Sequence, residues 1–341
     1  MSIYDLTIDE LTEYFLKISE KKYYATELFS WLYAKDKRIT SFSEASNIKK
    51  EVRERLSKDF TISNIEIVTV EKAKDVRKYL FKLNDKEHVE AVLMNHDYGN
   101  SLCISSQVGC NMGCKFCESG RRKKVRNLTT GEMVEQILKV EAESNLRISH
   151  VVIMGIGEPF DNYGNICNFI RIINHPKGLN IGARHITVST CGLVPKILEF
   201  ANFPYQVNLA ISLHAPNDKL RKEIMPIAKV YPLKDLINAI KVYLEKTNRR
   251  VTFEYIMLDG VNDKEEHALE LVNLLKGINS YVNLIPYNET DALQYKRSKP
   301  LTIAKFYDIL KKNNITVTIR REFGGTISAA CGQLRSKKED I

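Results

Sequence analysis

From residue 101 onward the sequence alternates between short β-branched runs and longer stretches with apolar residues at helical spacing, and this alternation restricts the fold more than any other feature. Strands are predicted at Leu102–Ser106, His150–Met154, His185–Ser189, Gln206–Leu213, Val251–Met257, Val282–Pro286 and Thr316–Arg320. Helices are predicted between them at Thr130–Glu143, Tyr163–Asn174, Leu233–Leu244, Glu265–Leu275 and Ile303–Asn313. Thr129 stands three residues before Glu132, the spacing of a capping box, and marks the start of the first of these helices. Strands that alternate with helices form a parallel sheet with helical crossovers. Six or seven such units are too few for a complete eightfold barrel, so the fold class expected is α/β, a partial (β/α)6-type barrel. Functional residues should then lie just beyond the C-terminal ends of the strands.

The first 60 residues read differently. Ile8–Ile18 and Ala25–Tyr33 carry apolar residues at helical spacing, and Lys49–Lys58 is crowded with lysine and arginine. A small basic helical module of this kind either contacts RNA or braces the larger domain. Alternating runs at Ile65–Val70, Lys78–Leu83 and Val89–Leu93 predict a short strand extension leading into the main domain. The expected division is a helical accessory domain over 1–60, a strand-rich extension over 61–95, a catalytic domain over 96–335 and a polar tail over 336–341.

A chain of 341 residues, 44% of them hydrophobic, can bury a full core. It contains no run of about twenty apolar residues, and Met1–Asp5 lacks the charged region and apolar stretch of a secretion signal, so a cytoplasmic protein is expected. Seven cysteines, several of them in one loop, do not read as an extracellular disulfide framework; they point to metal, redox or nucleophilic chemistry. The formal charge of +9 favours a polyanionic partner such as nucleic acid.

Cys110, Cys114 and Cys117 lie within eight residues of one another, after the first predicted strand of the barrel. Thiolates so close together hold a metal or an iron–sulfur cluster. A closed structural zinc site takes four ligands, and three leave a position open for chemistry. Gly155-Ile156-Gly157-Glu158-Pro159 follows the second strand, Ser189-Thr190-Cys191-Gly192 ends the third, Ser212-Leu213-His214 ends the fourth and Tyr287-Asn288 follows the sixth. Each motif alone has an ordinary structural reading as a turn, a cap or a core histidine; together they place small and polar groups on one rim. Cys331 lies among alanine and glycine after the last strand, where a substrate could approach closely, although a cysteine in such company is commonly packing. Cys103 is open to the same two readings, and Cys167 and Cys191 are read as structural. The basic run Arg121–Arg126 comes directly after the cysteine loop and is a candidate for phosphate contact.

Cys-x3-Cys-x2-Cys, with Phe116 before the last cysteine, resembles the radical S-adenosylmethionine signature. Leu102–Cys110, Met154–Pro159, Ser212–Asp218, Ala329–Leu334, Arg126-Asn127-Leu128 and Val282–Asn288 resemble, in that order of argument, segments of the RlmN/Cfr family of adenosine C-methyltransferases, most closely its RlmN branch. The likeness extends to Phe29-Ser30-Trp31-Leu32-Tyr33 near the N-terminus. The resemblance implies that Cys110, Cys114 and Cys117 ligate a [4Fe–4S] cluster whose open iron binds S-adenosylmethionine. It implies that Gly157, Glu158, Ser189, Ser212, Leu213, His214 and Asn288 contact that cofactor. Cys331 matches a cysteine that is itself methylated, Cys103 a second cysteine that pairs with it transiently, and Glu90 a proton acceptor. Two molecules of S-adenosylmethionine are then used per turnover, one to methylate Cys331 and one to generate a 5′-deoxyadenosyl radical. The implied substrate is an adenosine of 23S ribosomal RNA or, in some members, of transfer RNA. The implied partners also include an electron donor such as a flavodoxin or ferredoxin, with the enzyme acting as a monomer. Pairing requires Cys103 and Cys331 to face each other across the barrel mouth. The chain departs from the family pattern at Glu118–Lys124, where extra charge bears on RNA contact but not on the ligands.

Methylation at C2 is the leading expectation. Methylation at C8, the Cfr-type reaction that confers antibiotic resistance, is the first alternative. A metal-binding RNA-binding protein without catalytic activity would use the same cysteines and basic surface but would not need Cys331.

Overall fold

The computed structural model describes residues 1–35, 38–290 and 292–320. Three helices come first: α1 (Ile8–Lys17), α2 (Tyr23–Tyr33) and α3 (Lys50–Asp59). Strands β1 (Ile65–Ala73), β2 (Val76–Leu83), β3 (His88–His96) and β4 (Gly99–Cys103) then run as an antiparallel meander. A two-residue ribbon, β5 (Gln107–Val108) with β6 (Arg126–Asn127), leads into α4 (Thr130–Ser144) and β7 (Ile148–Ile153). The chain continues through α5 (Tyr163–Asn174), β8 (Ile186–Thr190), α6 (Val194–Phe200), β9 (Asn208–Ser212), α7 (Asp218–Ile224) and α8 (Leu233–Thr247). It finishes with β10 (Val251–Met257), α9 (Glu265–Leu275), β11 (Ser280–Pro286), α10 (Pro300–Lys312) and β12 (Thr316–Ile319).

These strands form one ten-stranded sheet in the order β1-β2-β3-β4-β7-β8-β9-β10-β11-β12. From β4 to β12 every neighbour is parallel, so each step needs a helical crossover; the predicted helices supply all but the β8–β9 step, which α6 makes. The end strands β1 and β12 do not pair with each other, which leaves the barrel open as expected. β1–β3 are continuous with the barrel sheet as its antiparallel edge. On β3, Val89, Ala91 and Leu93 face the main core, and Glu90, Val92 and Met94 point to the opposite, inner face.

Two departures from the predicted elements have local causes. The first predicted barrel strand stops at Cys103, because Ser105 leaves the sheet: its N–H donates to Gln136 Oε1 (3.0 Å) and its hydroxyl to the Glu90 carbonyl (2.6 Å). Helices α6 and α7 are seven residues each, too short for periodicity to reveal; Pro195 in the first turn of one and the Asn217 cap of the other mark them.

Helix α4 starts with the expected capping box between Thr129 and Glu132. Eleven of its 15 residues are buried, including Glu132, Glu135 and Glu141. The N-terminal helices cover one side of it. Asp5 accepts from the Gly131 N–H (2.7 Å), Glu135 accepts from the backbone and side chain of Asn64 (2.9 Å each), and Arg38 pairs with Glu141 (2.8 Å). Phe15, Tyr24, Phe29 and Tyr33 join the same apolar core as the sheet. The basic helix α3 carries Arg55–Asp59 and Lys50–Glu54 pairs of its own on its exposed surface.

Candidate active site

The cysteine loop is closed at its base by the β5–β6 ribbon. Cys110 N–H donates to the Arg122 carbonyl (2.9 Å) and Val125 N–H to the Val108 carbonyl (2.8 Å). Gly109 makes the entry turn at φ +74°, and a Cβ there would lie 2.3 Å from the Lys123 carbonyl oxygen. Within the loop Cys117 N–H reaches the Cys114 carbonyl (3.1 Å), and Lys115 N–H reaches back to Ile224 at the end of α7 (2.9 Å).

This loop hangs over the C-terminal ends of the parallel strands. One cavity is lined by Cys110, Cys114 and Cys117, by Gly157 and Glu158 after β7, by Ser189 on β8, and by Ser212 and His214 at the end of β9. Eight of the residues singled out in the sequence therefore share one wall. A larger trough of about 1050 Å³ lies elsewhere, beside α5 and α6, and contains none of them.

Glu158 is buried, and both carboxylate oxygens are occupied: one accepts from Phe160 N–H (3.0 Å), the other from Cys191 N–H (2.7 Å). Burial outweighs these bonds and raises its pKa. Gly157, at φ +111°, holds the turn that aims Glu158; a Cβ would fall 2.6 Å from Gln107 Cβ. Gly157→Ala is expected to cost about 1–3 kcal/mol from backbone strain alone, with the clash added to it. A urea unfolding series checks this, and an unchanged midpoint would refute the close packing.

His214 also has a positive φ, +58°. Its Nδ1 accepts from Ile256 N–H (3.0 Å), which leaves Nε2 to carry the ring proton. Phe116 meets the ring edge-on at 4.8 Å. Burial, with Arg221 nearby, pushes its pKa down to about 3. Unfolded histidine takes up a proton near pH 6.5, and the folded side chain does not until about pH 3. Stability contributed by keeping His214 neutral is therefore complete above pH 6.5 and lost progressively as the pH falls toward 3, on the order of 3–5 kcal/mol in all. His214→Asn keeps an acceptor at the backbone and tolerates the left-handed conformation. In metal-free protein its unfolding midpoint should fall less between pH 7 and pH 5 than that of the wild type; equal falls would exclude His214 as the source.

Other expected residues sit outside the cavity wall. Leu213 turns its side chain into the main core, and Asn288 is half-buried two residues past β11. Cys103 is paired in register with Val92, so it shares the inner face with Glu90, one same-face step along β3. Glu90 is buried and ion-paired with Lys78 (3.4 Å). Cys331, and with it the expected approach to Cys103, lies outside the described residues.

The cavity also includes residues to which the sequence reading gave no role in the site: Met154, Cys191, Glu254 and Arg320. Glu254 had a signal, since it is the only carboxylate within the apolar strand β10; it accepts from Asn283 Nδ2 (2.9 Å). Cys191 was read as structural, and its backbone and side chain both belong to the site. Behind this wall the buried Arg221 guanidinium donates to the carbonyls of Cys191 (2.7 Å) and Leu213 (3.2 Å). The basic run departs most from expectation. Arg121, Arg122, Lys124 and Arg126 pair with Glu118, Glu87, Asp161 and the Asp85–Glu132 couple, which lash the loop to the β2–β3 hairpin and α4.

Residues 104–272 match the radical SAM superfamily, and residues 1–62 match the ribosomal RNA large subunit methyltransferase N-terminal domain. A curated relative from Enterococcus faecalis, a probable dual-specificity RNA methyltransferase RlmN, is 56% identical over 99% of this chain and 96% of its own length. A relative of the same description from Spiroplasma citri is 53% identical over 94% of this chain and 93% of its own. The crystal structure of a radical SAM methyltransferase from Sphaerobacter thermophilus superposes with a TM-score of 0.93 at 41% identity, covering 99% of this chain and 100% of that one. The partial barrel and its cysteine loop are those of a radical SAM enzyme. Within that class, the chain belongs to the RlmN family.

Radical SAM enzymes work with a [4Fe–4S] cluster and S-adenosylmethionine, and the site fits both. Cys110, Cys114 and Cys117 line one cavity together, enough thiols for three irons of such a cluster. One sulfur for each of three irons is the arrangement that a cluster requires. Without metal, burial pushes the Cys110 thiol up to about 12 and holds the Cys114 thiol well above the usual thiol range; positive charge from bound iron would favour the thiolates instead.

Proposed function

We propose that this chain methylates carbon 2 of an adenosine in RNA, in 23S ribosomal RNA and also in transfer RNA. The observation that carries the reading is the convergence of Cys110, Cys114 and Cys117 on one cavity with Gly157-Glu158, Ser189, Ser212 and His214. Near full-length similarity to relatives described as dual-specificity RNA methyltransferases supports the substrate class.

Adenine C2 is electron-poor and does not attack an ordinary methyl sulfonium; the bound cluster and S-adenosylmethionine supply the radical that such a carbon requires. The protein contributes three groups. Cys331 carries the methyl carbon to the ring. Glu90, buried and ion-paired with Lys78, accepts the ring proton. Cys103 then displaces the product from Cys331 by forming a disulfide. Its place on the inner face beside Glu90 supports a shared role. Two molecules of S-adenosylmethionine serve each turnover, a flavodoxin or ferredoxin delivers the electron, and the enzyme acts as a monomer. Residues 1–60 form the accessory domain, 61–95 the extension and 96–335 the catalytic domain.

The test is anaerobic incubation of cluster-loaded protein with S-adenosylmethionine, a reductant and unmodified 23S RNA, followed by mass spectrometry of the nucleosides. 2-Methyladenosine that disappears in Cys331→Ala is expected. 8-Methyladenosine would overturn the regiochemistry, and no methylated adenosine would overturn the substrate.

A further inference from the structure

RNA of this size needs more than one nucleotide's worth of grip, and the expected basic run beside the cysteine loop is largely taken up by carboxylates. Four arginines without carboxylate partners lie together at the other end of the barrel. Arg147 immediately precedes β7, Arg184 lies two residues before β8, and Arg249 and Arg250 immediately precede β10. Among the described residues none of the four has a carboxylate partner. Arg184 and Arg249 are steadied instead by neutral side chains, Gln206 (3.1 Å) and Asn208 (2.7 Å), which fix the guanidinium groups without cancelling their charge. Arg250 lies over the Tyr281 ring at 4.8 Å.

Parallel strands bring these positions to one rim, the N-terminal ends of β7, β8 and β10. The same rim carries stacked rings. His150, on the inner face of β7, stacks on His185 at 4.3 Å, and Tyr98, at the tip of the β3–β4 hairpin, meets His150 edge-on at 5.1 Å. Tyr98 is stacked on one face by His96 (4.6 Å, 11° between planes) and remains 67% exposed, so its opposite face is presented to solvent. Uncancelled arginines interleaved with exposed rings match a nucleic-acid backbone with an unpaired base beside it.

We infer that this rim is a second RNA-contact surface, in which Arg147, Arg184, Arg249 and Arg250 hold phosphates of the substrate RNA away from the reacting nucleotide and Tyr98 stacks an unpaired base. The inference rests on RNA being the substrate. Strands of five to seven residues separate this rim from the cysteine cavity by roughly 20 Å. To touch both, an RNA must pass around the barrel wall, which a large folded RNA does and a hairpin cut to the target loop and a few base pairs does not.

The measurement is binding of fluorescent 23S domain fragment and of a short stem–loop, across a salt series, to wild type, Arg147→Glu/Arg250→Glu and Tyr98→Ala. The arginine pair should bind the large RNA at least tenfold more weakly, with the salt slope shallower by about 0.7–0.9 for each lost phosphate contact. Tyr98→Ala should weaken it roughly fivefold or more. Both variants should bind the stem–loop like the wild type, which also reports that they are folded. Unchanged affinity and slope for the large RNA in both variants would overturn the inference. Failure of the functional reading itself would look different: wild-type protein that transfers no methyl group to either RNA.

Discussion

Cys114→Ser protein, reconstituted anaerobically with iron and sulfide, is expected to stay nearly colourless and to lose methyl transfer entirely. The cavity offers three thiols for three irons, and Cys114 is one of them. A serine hydroxyl is a far poorer ligand for iron than a thiolate. The fold should survive, because the loop is held by the β5–β6 ribbon and by backbone bonds that a serine retains. Iron content, absorbance and far-ultraviolet circular dichroism together separate the outcomes. A variant with full iron and full activity would remove Cys114 from the ligand set.

Cys103→Ala should have an effect of comparable size with a different signature. If Cys103 releases Cys331 from the modified base, its loss stops the reaction after carbon–carbon bond formation, and RNA remains covalently attached to protein. Cys103 is buried among Val92, Met94 and Ile156, so truncation to alanine leaves the strand register intact. Denaturing gel electrophoresis of the reaction with labelled RNA should show a slow-migrating protein–RNA species that is absent from the wild type and from Cys103→Ala/Cys331→Ala. Free methylated RNA released at the wild-type rate would exclude the disulfide step.

The sequence made the architecture legible because the structural signal and the packing coincide. α5, α9 and β10 run over the predicted residues, each long enough for its periodicity to stand clear of noise. Seven-residue helices offer less than two turns, and α6 and α7 went unseen for that reason. The cavity was legible in the motifs at strand ends, since a parallel barrel places those ends on one rim. Glu254 stood out only as a lone carboxylate in an apolar strand; its place in the cavity was not legible, because an inner-face position becomes a site only when strands from far along the chain lie beside it. Charge was the least legible property. Arg121–Arg126 looked like a phosphate-binding run, but its partners Asp85, Glu87 and Asp161 are remote in sequence, and only the fold brings them into contact.

Helix α4 has a consequence for how such a chain can change over time. The match to residues 1–62 describes the N-terminal module as a separable unit of inheritance. Energetically it is not separable: without it, the Gly131 N–H would lose Asp5, Glu141 would lose Arg38, and the aromatic side of the core would meet water. A buried carboxylate that loses its charged donor costs about 1–3 kcal/mol or more, a sizeable part of a domain's whole stability. The two segments can be recombined as text, but they unfold as one. A recombinant that exchanged the first 62 residues would have to bring a matching α4 with it, so the unit on which selection acts runs through the helix and not up to it.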